Sequence, residues 1–73
     1  MRCRIFQRAI IESMQRGGLA IVHLQDFPTH RVVVYPCGQM RKQQITLSPG
    51  DAITVELSPY DLTRGRVIWR HSE

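Results

Sequence analysis

Hydrophobic and polar residues alternate along much of this chain, with the period of two that is typical of β-strands having one buried face. In the best-formed example, Ile53, Val55 and Leu57 alternate with threonine, glutamate and serine. Comparable patterns predict five strands, at residues 5–13, 19–24, 31–35, 53–58 and 66–70. An all-β protein with one core between these strands is therefore expected.

The first and last of these strands have less regular patterns. Neither face of the first is cleanly apolar, so an amphipathic helix competes with a strand there and the register is open. In the last strand, Val67 and Trp69 share one face. We therefore expect Trp69 to belong to the core, and Arg66 and Arg70 to project together from the opposite face.

The segments between strands carry turn signals, and one carries a helix signal. The predicted turns and loops each contain glycine or proline and lie at residues 15–18, 25–30, 48–51 and 59–65. Phe27, in the second of these, is expected to cover the core. Residues 38–44 are unbranched after the glycine and have good helix propensity, which predicts one or two helical turns anchored by Met40.

Five short strands with one short helix between the third and the fourth are the layout of an OB-fold, a five-stranded Greek-key barrel. We predict this fold for residues 1–73 as a single domain, with an SH3-like barrel as the alternative. OB-folds bind oligonucleotides across the face of their second and third strands and the adjoining loops.

Charge gives this barrel a candidate partner. The 73 residues include ten Lys and Arg against six Asp and Glu, for a net charge of +4 and a pI near 9.8. Nine of the ten basic residues are arginine, whose planar guanidinium suits phosphate and stacks on bases. The pattern indicates nucleic-acid binding, with a merely solvated basic surface as the competing interpretation.

Several other classes of protein find little support. No apolar run approaches the roughly 18 residues of a membrane span, and the start of the chain has no apolar run of signal-peptide length. Cys3 and Cys37 are expected to be reduced cytosolic thiols. His23, His30 and His71 show no metal-ligand spacing, and no glycine-rich phosphate loop is present. We expect no metal, no cofactor and no enzymatic activity.

The basic residues are grouped in two places. Arg64, Arg66 and Arg70 lie in and beside the last strand, and Arg41 with Lys42 lies on the predicted helix. If the two groups converge on one surface, they can follow a phosphate backbone. Tyr60 is placed either to stack on a base or to fold over the mouth of the barrel.

Three motifs resemble bacterial and plastid translation initiation factor 1. They are Gly38-Gln39-Met40-Arg41-Lys42, the turn Pro49-Gly50-Asp51, and Pro59-Tyr60-Asp61-Leu62-Thr63-Arg64-Gly65-Arg66 followed by Arg70. The resemblance spans residues 38–70 and is only loose before them. It implies an OB-fold that binds the A site in the decoding region of the small ribosomal subunit, contacting ribosomal RNA and a small-subunit protein, and that assists the other initiation factors.

The resemblance also implies a set of site residues and a setting. Carried over by position, the RNA-contacting residues are Arg41, Lys42, Tyr60, Arg64, Arg66 and Arg70. A monomer that acts in the cytoplasm, or in the stroma of a plastid, is expected. A cold-shock-like chaperone for single-stranded RNA is one alternative, although the paired aromatic motifs of that family are missing. A small protein-interaction domain is another.

The chain departs from the family at several positions. Gln39 occupies a position where a lysine is usual, Gln44 one where an aromatic residue is common, and Thr46 one where a basic residue is usual. Pro36-Cys37 replaces a typical Ile-Ser. These changes are expected to weaken or redirect RNA binding, since each lost phosphate contact lowers the salt dependence.

Overall fold

Residues 5–71 form five β-strands and one short α-helix. The structure, a computed structural model, describes residues 5–71. The strands are β1 (Ile5–Met14), β2 (Ala20–Leu24), β3 (Arg31–Pro36), β4 (Ala52–Ser58) and β5 (Asp61–His71), and the helix α1 (Gly38–Lys42) lies between β3 and β4. A 3-10 turn joins β1 to β2, and its two glycines adopt positive φ as the paired-glycine signal predicts.

The strands form a closed barrel in the order β1-β2-β3-β5-β4, which β1 completes by pairing with β4. All neighbours are antiparallel except β3 and β5, which are parallel. This order, with a single helix between β3 and β4, is an OB-fold. The predicted fold class is therefore confirmed.

The core follows the alternation in the sequence. Ile53, Val55 and Leu57 of β4 are all buried, and the intervening side chains are partly exposed. In β1, where the pattern left helix and strand open, the segment is a strand that buries Ala9 and Ile11. Its pairing with both β2 and β4 supplies the long-range hydrogen bonds that decide between the two conformations.

Helix α1 closes one end of the barrel. Met40 is only 4% exposed and packs into the core, which confirms its predicted role as the anchor of the helix. The helix is shorter than the predicted segment 38–44, because Gln44 adopts a φ of +54° that helical residues cannot have. The basic residues Arg41 and Lys42 occupy its last turn.

The last strand is longer than predicted. β5 begins at Asp61, so only Pro59 and Tyr60 form the turn, and the prediction of a loop over residues 59–65 is wrong. Residues 61–65, which this adds to the strand, have Leu62 as their one large apolar side chain, so no hydrophobic alternation in the sequence predicts a strand there. The segment is extended because Asp61 pairs with Ser58 of β4 and because Arg64 and Gly65 pair in parallel with β3.

A β-bulge in β5 overturns the prediction for Trp69. Val67 lies opposite Val55, but Trp69 lies opposite Thr54, so Ile68 is an extra residue on β5. The bulge reverses the alternation beyond it, because one extra residue exchanges the two faces of a strand. Trp69 is consequently 63% exposed instead of buried.

Phe27 does not cover the core either, because its side chain is 59% exposed. It lies in the loop between β2 and β3, where the His30 N–H donates to the Phe27 carbonyl at 2.9 Å and closes a tight turn. This turn keeps the loop outside the barrel. Of the two cysteines, Cys37 has a free thiol, whereas Cys3 lies outside the described residues.

Candidate nucleic-acid interface

The predicted RNA-binding residues form a stripe along β5 and α1, called here the cationic stripe. Its members are Arg41, Lys42, Tyr60, Arg64, Arg66 and Arg70. Tyr60 precedes β5, and Arg70 is its penultimate residue. Ten residues of extended chain cover about 33 Å, close to the longest dimension of the fold, 31 Å. The stripe therefore runs the length of the barrel and is not a compact cluster.

Helix α1 lies near the far end of β5 because of how β3 ends. Pro36, the last residue of β3, pairs with Val67, and the Cys37 N–H donates to the Val67 carbonyl at 3.0 Å. The helix therefore begins level with Val67. Arg70 reaches the segment that follows the helix and donates from Nη1 to the Thr46 carbonyl at 2.9 Å. The structure thus places Arg70 at the same end of the barrel as the basic turn of α1.

Arg41 and Lys42 are the most available charges in the stripe. Both are exposed, and no carboxylate in residues 5–71 forms an ion pair with either. A phosphate approaching this turn would not have to displace an existing partner. The buried Met40 side chain between them and the core fixes the turn on the barrel.

Arg66 is in a different position, because Glu56 on the neighbouring strand already binds it. Nε and Nη2 of Arg66 both donate to Oε1 of Glu56, each at 2.7 Å. These hydrogen bonds and the carboxylate charge raise the pKa of Arg66 above its ordinary value. The guanidinium is held in one orientation, and much of its charge is already matched.

Arg64 is held only loosely. Its Nε lies 3.8 Å from Oδ2 of Asp61, an exposed pair of the kind that contributes little to stability. The Asp61 carboxylate is engaged mainly by Thr63, whose backbone N–H and hydroxyl both donate to it and lower the Asp61 pKa. Arg64 is therefore able to leave Asp61 for a phosphate.

Tyr60 projects from the tip of the turn between β4 and β5. Its side chain is 97% exposed, so the alternative in which it folds over the mouth of the barrel is wrong. The Tyr60 N–H donates to the Ser58 hydroxyl at 3.2 Å, which orders the turn and leaves the ring free of the barrel. An exposed ring at this place is able to stack on a base.

The prediction that Arg66 and Arg70 project from one face is wrong. Arg66 lies opposite Glu56 on the outer side of the sheet, whereas Arg70 lies opposite the buried Ile53. The bulge at Ile68 causes the difference. The side chain of Arg70 projects from the end of the barrel that α1 closes, whereas the side chain of Arg66 projects from the outer surface of the sheet.

Two features beside the stripe had no signal in the sequence. Tyr35 is exposed on β3 and lies directly opposite Arg66, a neighbour set by the parallel pairing of β3 with β5. A groove of about 440 Å³ separates α1 from the end of β5. Its lining includes Gln39, Gln43, Trp69 and Arg70. Both features depend on pairing between segments far apart in the chain.

A third missed feature lies on the outer side of β1, β2 and β3. Glu12 is the extra residue of a bulge in β1, and its carboxylate lies 3.1 Å from Nε of Arg31 and 2.8 Å from Nδ1 of His23. The hydrogen bond from Arg31, followed by that from His23, lowers the Glu12 pKa. The cluster joins three strands, but it lies outside the cationic stripe.

Two further observations apply to residues 5–71. No group of three or more His, Cys, Asp or Glu side chains is arranged to hold a metal ion in this part of the chain. The helices described there are too short and too polar to cross a membrane.

Fold and stripe together define an OB-fold barrel whose last strand is basic and is preceded by an exposed tyrosine. No family model matches the sequence. Among solved structures, the barrel is similar to the solution structure of translation initiation factor 1 from the Wolbachia endosymbiont of Brugia malayi. The TM-score is 0.74 at 24% sequence identity, and the match covers 94% of this chain and 79% of that one. The fold is thus shared with an initiation factor.

A second similar structure is YjeQ from Thermotoga maritima, with a TM-score of 0.74 and 18% identity. The match covers 93% of this chain but only 23% of YjeQ. The same barrel therefore also occurs as one part of a much longer protein.

Proposed function

We propose that this protein is a translation initiation factor that binds ribosomal RNA in the decoding region of the small ribosomal subunit and performs no catalysis. The observation that carries the proposal is the cationic stripe on an OB-fold barrel. The stripe contains the residues that match initiation factor 1, and the likeness in fold to a member of that family supports the same assignment. The other initiation factors and a small-subunit protein are the further partners in this proposal.

The residues of the stripe have separate roles in the proposed complex. Arg41 and Lys42 contact phosphates directly, since no carboxylate within residues 5–71 competes for them. Arg64 exchanges its weak contact with Asp61 for a phosphate, and Tyr60 stacks on an unpaired base. Arg66 donates to Glu56 and Arg70 donates to the Thr46 carbonyl. In the complex, the remaining N–H groups of each guanidinium contact the RNA.

The number of cations in the stripe sets the expected salt dependence. Five phosphate contacts to single-stranded RNA give a slope of about −3.5 in a plot of log K against log salt, at about 0.7 per contact. Raising the salt concentration from 50 to 200 mM should then lower the affinity by roughly 100-fold. A protein-interaction domain with a merely solvated basic face would show almost no such dependence.

The proposal is tested by binding the protein to purified small subunits and probing the RNA chemically. We expect protection in the decoding region, and we expect the double variant Arg41→Gln/Lys42→Gln to reduce the salt slope by about 1.4. Arg16→Gln, which removes a cation from the turn between β1 and β2, is the matched control and should leave binding unchanged.

Three results would contradict the proposal. One is a double variant that binds small subunits as tightly as the unaltered protein at both salt concentrations. Another is an unstructured RNA that competes with small subunits on equal terms, which would favour the cold-shock-like chaperone. Tight binding that survives high salt without any protected RNA would favour a protein partner.

A further inference from the structure

The exposed position of Trp69 is produced by a specific irregularity of the backbone. An uninterrupted β5 would direct this indole into the core, and the extra residue Ile68 turns it to solvent. β-Bulges are over-represented at sheet edges, at the rims of barrels and beside active sites, where they re-aim a side chain or end strand pairing. A tryptophan that such a bulge leaves 63% exposed is a candidate contact for a binding partner.

The neighbours of Trp69 across the sheet form a defined surface. Arg8 on β1 and Trp69 on β5 both lie opposite Thr54 of β4, so the three side chains stand in one row on the outer side of the barrel. Two strand spacings separate Arg8 from Trp69 by about 10 Å. Phe6, two residues before Arg8 on the same side of β1, is 49% exposed. We call these four residues the β1–β4–β5 face.

The charges on this surface favour an anionic partner. No carboxylate of residues 5–71 pairs with Arg8. Glu56, which lies between Phe6 and Arg66, accepts two hydrogen bonds from that arginine. The uncompensated charge at the row of Trp69 is therefore positive.

The arrangement of apolar surface separates RNA from a protein partner. The two rings stand about 12 Å apart on the diagonal, given the strand spacing and the rise per residue. Thr54 and charged side chains lie between them, so the rings do not form the continuous apolar patch of a protein interface. Aromatic side chains spaced by arginines are the usual platform for single-stranded nucleic acid, because each ring accepts a base of any sequence.

We propose that the β1–β4–β5 face binds single-stranded RNA, with bases stacked on Trp69 and Phe6 and a phosphate held by Arg8. Its row of side chains crosses from β5 to β4 and β1, whereas α1 lies on the side of β5 that adjoins β3, and only Trp69 also borders the groove beside α1. The β1–β4–β5 face also differs from the strand 2–3 face that OB-folds ordinarily use. The inference goes beyond small-subunit binding and does not require it.

Trp69 is the single tryptophan of the chain, so its fluorescence reports directly on a ligand that contacts it. It also borders the groove beside α1, and variants of Phe6 and Arg8 therefore locate the ligand on this face. An oligoribonucleotide of eight residues, within the roughly 4–16 nucleotides that one OB-fold covers, should quench Trp69. A phosphodiester chain of the same length without bases should not. Phe6→Leu and Arg8→Gln should each shift the quenching to higher oligonucleotide concentration, and Arg8→Gln should also reduce the salt slope by about 0.7.

Variants of Trp69 itself are followed with a labelled oligonucleotide. Trp69→Leu should weaken binding by roughly 5- to 150-fold, the range for loss of one stacked base. Trp69→Phe, which keeps an aromatic ring, should restore most of the affinity. Because the side chain is largely exposed, both variants should unfold at the temperature of the unaltered protein, which separates lost stacking from lost folding.

Variants of the cationic stripe distinguish a failure of this proposal from a failure of the proposed function. Arg41→Gln/Lys42→Gln and Tyr60→Leu should weaken small-subunit binding and leave the quenching of Trp69 by the oligonucleotide unchanged. Quenching without any small-subunit binding would refute the proposed function and support the RNA platform.

Three outcomes would overturn the platform. The first is quenching of Trp69 by the base-free phosphodiester that equals quenching by the oligonucleotide. The second is binding of the labelled oligonucleotide with no change in Trp69 fluorescence. The third is a blue shift that grows with protein concentration in the absence of RNA, because a second copy of the chain would then cover the face.

Discussion

Gly65 lies where the backbones of β4 and β5 leave no room for a Cβ atom, and replacing it with alanine should destabilise the barrel. A Cβ atom at this position would lie 2.6 Å from the carbonyl oxygen of Glu56 and 3.1 Å from Cδ2 of Leu57. Gly65 pairs with Leu57 on one side and with Val34 on the other, so neither neighbouring strand is free to withdraw. The contact with a backbone atom can be relieved only by moving a strand.

The size of the effect follows from this geometry. Overpacking by one methyl group typically costs about 1–3 kcal/mol, and a backbone contact inside the sheet places Gly65→Ala at about 2 kcal/mol. For a domain of this length, each kcal/mol lowers the midpoint of thermal unfolding by roughly 4–8 °C. Gly65→Ala should therefore unfold about 8–16 °C below the unaltered protein, as followed by circular dichroism.

Gly38→Ala is the matched control. An added Cβ at Gly38 meets no atom within 4 Å, and the residue begins α1, where alanine is the better helix former. Its unfolding midpoint should be equal to that of the unaltered protein or slightly higher. If Gly65→Ala and Gly38→Ala unfold within about 2 °C of each other, the close approach of the strands is not what selects glycine at position 65.

Two further predictions concern ion pairs. Because Arg31, and then His23, lower the pKa of Glu12 in the fold, the ionised carboxylate stabilises the protein above the ordinary glutamate pKa of about 4.3, and this contribution is lost as the pH falls through the lowered value. Glu12→Gln should thus unfold at a lower temperature than the unaltered protein at pH 7 and at the same temperature near pH 2; a difference that persists in acid would contradict the assignment. Glu56→Gln should remove a carboxylate that competes with phosphate for Arg66, and should therefore tighten RNA binding at low salt. Binding assays at two salt concentrations test this, and weaker binding by Glu56→Gln would show that Arg66 needs Glu56 to be oriented.

Local pattern was sufficient for most of the fold. The buried face of β4, the glycine turn after β1 and the anchoring role of Met40 were all readable, because each depends on neighbouring residues. The layout of strands and helix then led to the OB-fold. β1 remained ambiguous for a physical reason, since its mixed pattern suits either conformation until β2 and β4 pair with it.

The candidate site was only partly readable. The sequence marks Arg41, Lys42 and Tyr60 as candidates, and the structure leaves all three exposed. Their role in binding RNA remains a prediction. The pairing of Arg66 with Glu56 could not be foreseen, because the register of two strands determines which side chains meet across them.

The sequence by itself therefore determined the number of strands, the position of the helix and the identity of the basic residues, since these depend on local periodicity, turn chemistry and composition. Only the tertiary structure decided which way the side chains of β5 point. Pairing with β3 from Arg64 onward and with Ser58 of β4 at Asp61 extends this strand back to Asp61, and the bulge at Ile68 turns Trp69 to solvent. Both arise when a barrel closes and strands distant in the chain must match in length and register, a constraint that no single segment carries.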